Sequence, residues 1–187
     1  MATAGQLLES GVVAKGYRRV KSLTVEAQVI HADGSLGEKR VQRYIRPFWL
    51  RVLDWIQDQA GAVLQVNTGR AVVTALLAGG TTYPKWIGWG TGAGVTAATD
   101  TTLFTEDSGG SPVYARVSGT QTQVTTSTLN DTYQCVGTIT ANAVKTITNA
   151  GIFDALTVGD LYVKGDFSGI PLSTNDSIQF TFQVQYS

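Results

Sequence analysis

Charge is scarce in this chain. Asp, Glu, Lys and Arg make up 15% of its 187 residues, against about a quarter in an ordinary globular domain. So few ionic groups point to a surface that is covered in part by neighbours. There is one cysteine, Cys135, which excludes an intramolecular disulfide. There is one histidine, His31. One His, one Cys and dispersed carboxylates do not make a preorganised metal site, and no cofactor motif accompanies them. No apolar run approaches the roughly 20 residues a membrane helix needs. The first residues, Met1-Ala-Thr-Ala-Gly-Gln, lack a basic stretch followed by an apolar one, so no secretory signal is expected and synthesis in a cytosol is. Asn130-Asp131-Thr132 and Asn175-Asp176-Ser177 match the glycosylation acceptor, but the match has no weight without export.

What the chain does have is glycine, 21 residues of it, abundant threonine, and strict alternation. From Ser177 to Tyr186 every second residue is apolar: Ile178, Phe180, Phe182, Val184 and Tyr186. Side chains on a strand alternate between faces, so this segment buries one face and wets the other. Leu23, Val25, Ala27 and Val29 alternate in the same way with Ser22, Thr24, Glu26 and Gln28. Ala32-Asp33-Gly34-Ser35 is a turn signal, and Lys39 to Ile45 reads as the returning strand.

Residues 1–14 read as a flexible arm, or one that only a partner would order. Pro47 opens a short helix striped by Phe48, Trp49, Val52, Leu53 and Ile56, with Gly61 at its end. Val63 to Val66 reads as a short strand. Thr68 is placed to cap a second helix running to Leu77, which Gly79-Gly80 breaks. Strands follow at Lys85–Gly90, Tyr114–Val124, Tyr133–Thr140, Lys145–Ala155 with a kink at Gly151, Leu161–Lys164 and Phe167–Leu172. Gly92 to Thr102 is a loop of small residues. Short strands punctuated by turn residues predict a mainly β protein, a jelly-roll-like antiparallel β-sandwich with an N-terminal arm and one or two short helices. Residues 1–62 would form the arm, hairpin and helix used for docking, and residues 63–187 the sandwich.

Net charge is zero but unevenly placed. Residues 1–51 hold nine Lys/Arg against four Asp/Glu, and residues 52–187 hold five against ten. The basic segment reads either as a solvated basic face or as a segment that docks on acidic protein surface, such as the acidic remainder of a neighbouring copy. Arg18, Arg19, Arg40, Arg43 and Arg46 are the candidate interface residues. The basic residues are dispersed among acids and no nucleic-acid motif accompanies them, so neither nucleic acid nor membrane is an expected partner.

Several motifs invite a reaction and fall short of one. Glu106-Asp107-Ser108-Gly109-Gly110-Ser111-Pro112 is close to the nucleophile loop of chymotrypsin-like proteases. Such an enzyme needs a base and an orienting carboxylate as well, and His31 lacks the context of that family. Gly88-Trp89-Gly90-Thr91-Gly92-Ala93-Gly94 fails as a nucleotide loop: the third glycine of the pattern would fall on Ala93 or Val95, and no helix is expected to follow. Cys135 with His31 could form a nucleophile pair, but a lone Cys in a strand reads as a small buried hydrophobe. Paired carboxylates for glycoside hydrolysis are brought together only in space; Asp154, Asp160, Asp166 and Asp176 all fall near expected turns, where Asp is commonplace. The expectation is that the chain is not an enzyme.

One resemblance covers roughly residues 63–186. Trp86-Ile87-Gly88-Trp89-Gly90-Thr91-Gly92, Asp100-Thr101-Thr102-Leu103 with Glu106, and Arg116 resemble a recurring pattern in virion proteins of tailed bacteriophages. So do Asn67-Thr68-Gly69-Arg70, Val136-Gly137-Thr138-Ile139-Thr140, Ile147 to Asp154, Gly159-Asp160-Leu161-Tyr162, Phe167-Ser168 and Asn175-Asp176-Ser177-Ile178. The resemblance implies a phage structural protein with a jelly-roll-like domain. The implied role is a capsid cement or decoration protein. Its partners would be the major capsid protein and copies of itself in a homotrimer, on the virion surface, after synthesis in the host cytoplasm. A tail fibre, baseplate or receptor-binding component is the alternative, with Trp86 and Trp89 as sugar-stacking candidates.

Overall fold

The protein is described here from a computed structural model, which defines residues 20–45, 63–107 and 116–186. Ten strands and one helix lie in that range. They are β1 (Val20–Ile30), β2 (Leu36–Ile45), β3 (Val63–Gln65), α1 (Asn67–Leu77), β4 (Trp86–Gly90), β5 (Val117–Ser118), β6 (Thr120–Val124), β7 (Thr132–Thr140), β8 (Lys145–Phe153), β9 (Leu161–Leu172) and β10 (Ser177–Tyr186). They form two five-stranded sheets. Sheet I has the order β2-β1-β10-β7-β6 and sheet II the order β3-β9-β8-β4-β5. Their pairings are antiparallel throughout, so the mainly β, sandwich architecture expected from the sequence is present.

The alternating segments find each other. Leu23 lies opposite Val184, Val25 opposite Phe182, Ala27 opposite Phe180 and Val29 opposite Ile178. A slip of one residue would turn the slipped strand's four apolar side chains to the wrong face, so the pattern sets the register. On the other side of β10, Cys135 faces Phe182 and Ile139 faces Ile178. Sheet II closes this surface with Ile87, Trp89, Ala150, Ile152, Val163, Ile170 and Leu172. Burying each large side chain contributes about 1.5–3 kcal/mol, which makes this layer the main source of stability.

Sheet II is covered on its other face as well. Cross-strand partners share a face, and the register stacks Trp86, Phe153 and Leu161 in one row, Gly88, Gly151 and Lys164 in the next, and Gly90, Asn149 and Asp166 in the third. Val66, Leu103, Phe153 and Leu161, with Trp86 against them, form a second, smaller core there. Helix α1 docks on the same sheet through Gly69: a Cβ at that position would run into the Tyr162 backbone. Helix α1 also reaches the main core, against which Val73 packs.

Several local expectations are corrected. Thr68 does not cap α1. The N-cap is Val66 with no side-chain cap bond, and the Thr68 hydroxyl instead donates to the Leu161 carbonyl at 2.7 Å. Leu161 to Leu172 is one strand rather than two. The segment read as a strand from Tyr114 is broken at Gly119, where the chain passes from sheet II into sheet I. Gly151 keeps its register, and the irregularities in β8 flank it, at Ile147/Asn149 and Ile152/Phe153. The helix expected after Pro47 and the arm of residues 1–14 lie outside the described residues.

Candidate functional site

The segment 91–107 is tied down by several polar side chains from the sheet beneath it. Backbone bonds close its two ends on each other: Thr91 N–H donates to the Thr105 carbonyl at 3.1 Å and Gly92 N–H to the Phe104 carbonyl at 3.0 Å. Asn149, fully buried, reaches it from the sheet. Its Oδ1 accepts from Phe104 N–H at 3.0 Å, and its Nδ2 donates to the Phe104 carbonyl at 3.0 Å and the Gly92 carbonyl at 3.2 Å. The glycine-rich run therefore has a packing role. A Cβ on Gly90 would collide with the Phe104 carbonyl and the Asn149 amide, so only glycine lets the segment lie flat on β4.

Lys164 is the second anchor. It is 0% exposed, and its Nζ donates to Asp100 Oδ2 at 2.8 Å and to the Thr102 carbonyl at 3.0 Å, while sitting 3.1 Å from the centre of the Phe104 ring. Burial lowers its pKa, and the bond and charge of Asp100 oppose that fall. Asp100 also accepts from Ala97 N–H at 3.1 Å, and Asp166 accepts from Thr96 N–H at 2.9 Å. Lys164 was not among the residues singled out from sequence. The signal was available: Leu161-Tyr162-Val163-Lys164-Gly165 is nearly apolar on both parities, as in a strand covered on both faces, and a lysine inside such a run needs a carboxylate.

Arg116 is the third anchor, only 7% exposed. It grips Glu106 with two bonds, Nε to Oε1 at 2.7 Å and Nη2 to Oε2 at 3.1 Å. Its Nη1 donates to the carbonyls of Ala155 and Val158, and its guanidinium lies 3.3 Å over the Phe153 ring. Five donors in a planar fork suit this work, where a lysine would satisfy only part of it. Val158 is held in the left-handed region at φ 59°, which is costly for a β-branched residue.

The interface arginines divide. Arg18, Arg19 and Arg46 lie outside the described residues. Arg40 and Arg43 are both on β2, an edge strand of sheet I, but on opposite faces. Arg43 lies opposite Thr24, on the outer face, and is exposed; Arg40 lies opposite Ala27, on the inner face. Arg40 pairs with Glu38 of its own strand at 2.7 Å and lines a cavity of about 140 Å³ with Val25, Ala27 and Phe167. Lys39 pairs with Glu26 across the hairpin. Among the described residues Arg43 has no ion-pair partner, and exposed Val41 and Leu36 stand on the same strand.

Among the described residues, His31 and Cys135 have partners other than each other. His31 Nδ1 lies 3.4 Å from Asp176, whose carboxylate also accepts from Ser173 N–H at 2.9 Å and Ala32 N–H at 3.1 Å. These bonds, that from Ser173 foremost, hold its pKa below the usual range. Cys135 is buried against the Lys85 carbonyl, and burial pushes its thiol up to about 11. Ser108 lies outside the described residues, and Asp107 next to it is paired with Lys145. Asp154 accepts from Asp160 N–H at 2.7 Å, so these aspartates brace turns. Trp89 is 2% exposed in the main core and offers no open ring face for a sugar, and Trp86 is partly buried against the smaller core.

The fold defines the class: an antiparallel β-sandwich with one short helix and a pinned loop over the outer face of one sheet. No family model matches the chain, and neither a curated protein nor a solved structure matches it at a significant level.

Proposed function

We propose that this chain is a structural protein of a tailed-bacteriophage particle, a cement or decoration protein that binds the outer head surface and stabilises the shell by non-covalent contacts. The observation that carries the reading is where the residues of the phage-resembling pattern fall. Gly90, Asp100, Leu103, Glu106, Arg116, Asn149 and Gly151 take part in the loop layer on sheet II, beside Lys164, which lies outside the pattern. The shared pattern thus encodes a rigid scaffold rather than a reaction centre, which is what a shell component requires.

The attachment surface would be the outer face of the β1–β2 hairpin, where exposed Arg43 and Val41 stand beside the sheet edge. The partners would be an acidic surface of the major capsid protein and other copies of the chain, as a homotrimer. Interfaces of this kind gain affinity from complementarity and preorganisation more than from area, and repetition on a shell adds avidity. Arg43→Glu should strip the protein from purified heads in a sedimentation assay while its circular dichroism stays unchanged. Undiminished occupancy would refute this surface.

A further inference from the structure

Where sheet II ends, the inner face of sheet I turns polar. Gln121 and Gln123 on β6 lie opposite Cys135 and Tyr133, so they share the face that elsewhere carries the core. The facing edge strand of sheet II, β5, has only two residues, and the chain has already crossed to sheet I at Gly119. A groove of about 560 Å³ opens there, lined by Gln121, Gln123, Asn130, Asp131, Tyr133 and Tyr186. That volume is in the range of small-ligand sites.

The groove is built rather than loose. Tyr133 donates its hydroxyl to the Pro84 carbonyl and its ring meets Tyr162 edge-on, 6.0 Å between centres; the Tyr186 hydroxyl is bonded to that of Tyr162. Gln121 Nε2 donates to the Tyr133 hydroxyl at 3.1 Å and Gln123 Nε2 to the Asn130 carbonyl at 2.9 Å. Both glutamine side-chain carbonyls, and the whole Asn130 side-chain amide, lack a bond to any described residue. The one charged group among the described lining residues, Asp131, is committed to the adjacent turn: it accepts from the backbone N–H groups of Thr126, Ser127 and Thr128 and from the Gln185 amide. No Lys or Arg is among the described lining residues.

We infer that this groove binds a neutral oligosaccharide. Amides offer donor and acceptor together, as sugar hydroxyls require, and locked tyrosine rings suit the apolar faces of a pyranose. Among the described lining residues there is no free cation to hold a phosphate or sulfate. The inference is independent of whether the protein sits on a head or a tail.

The test is ¹H–¹⁵N NMR titration of the whole protein with maltohexaose, cellohexaose and chitotetraose, each to about 10 mM, the range that reveals millimolar affinity. The expected result is a saturable shift with at least one sugar, confined to Gln121, Gln123, Asn130 and Tyr133. Gln121→Ala/Gln123→Ala should weaken binding at least about tenfold, with the rest of the spectrum and attachment to particles unchanged. No saturable shift with any of the three, undiminished binding by the double variant, or tighter binding of a sulfated heparin hexasaccharide would overturn the inference.

Discussion

Lys164 shows how a single buried charge organises its surroundings. A cation with no solvent exposure survives only if acceptors replace its water, and here Asp100, the Thr102 carbonyl and the Phe104 ring do so. The two halves of the pair are not equivalent to mutation. Asp100→Ala leaves the ammonium buried and uncompensated, which costs about 3–5 kcal/mol. Lys164→Met removes the charge and refills the space with apolar chain, leaving behind an aspartate that is 19% exposed, and should cost much less. Urea denaturation of the two variants checks this order; equal losses would mean that the pair contributes by packing alone.

At the scale of elements, strands that bury one face were legible in the sequence. Ser177–Tyr186 was read to the residue because apolar and polar positions alternate without a break, and β1 was found for the same reason. Strands buried on both faces were harder. Leu161–Leu172 looked like two pieces because Asp166 falls at an expected turn between Lys164 and Phe167, whereas Asp166 holds the Thr96 backbone in place. The parity of β2 was also legible in principle: positions 40 and 43 are an odd number apart, so a strand sends Arg40 and Arg43 to opposite faces. The loop layer was not legible, because nothing in one sequence announces that Gly90 lies beneath Phe104. That contact predicts that Gly90→Ala forces the segment off the sheet and costs about 2 kcal/mol or more. Amide hydrogen exchange should show protection lost first at Thr91, Gly92 and Phe104. Loss spread evenly over both sheets would contradict a separate layer.

The whole molecule carries its pH dependence in a few braced carboxylates. Burial acts to raise the Asp131 pKa, but the bonds from Gln185, Thr126, Thr128 and Ser127 outweigh it and hold the carboxyl well below the ordinary range. Asp176 is depressed as well, by the Ser173 and Ala32 backbone bonds, and so is Asp33, by Ser35. A depressed carboxylate contributes stability that is complete above its unfolded pKa, about 3.9, and is lost as pH falls through the folded value. The urea midpoint should therefore be level from neutrality down to about pH 5 and fall below about pH 4. Asp131→Asn should lower the neutral plateau and flatten the acid limb. An unchanged acid limb would mean that other groups set it.

The account as a whole rests on the chain being a stoichiometric part of a phage particle. Quantitative mass spectrometry of gradient-purified particles from the genome that encodes it, with tailless heads separated from whole virions, tests this most directly. The account predicts the protein on the tailless heads, in a fixed ratio to the major capsid protein that matches the ratio in whole virions. Its absence from both fractions would contradict a virion role outright, and its presence on whole virions alone would contradict the assignment to the head.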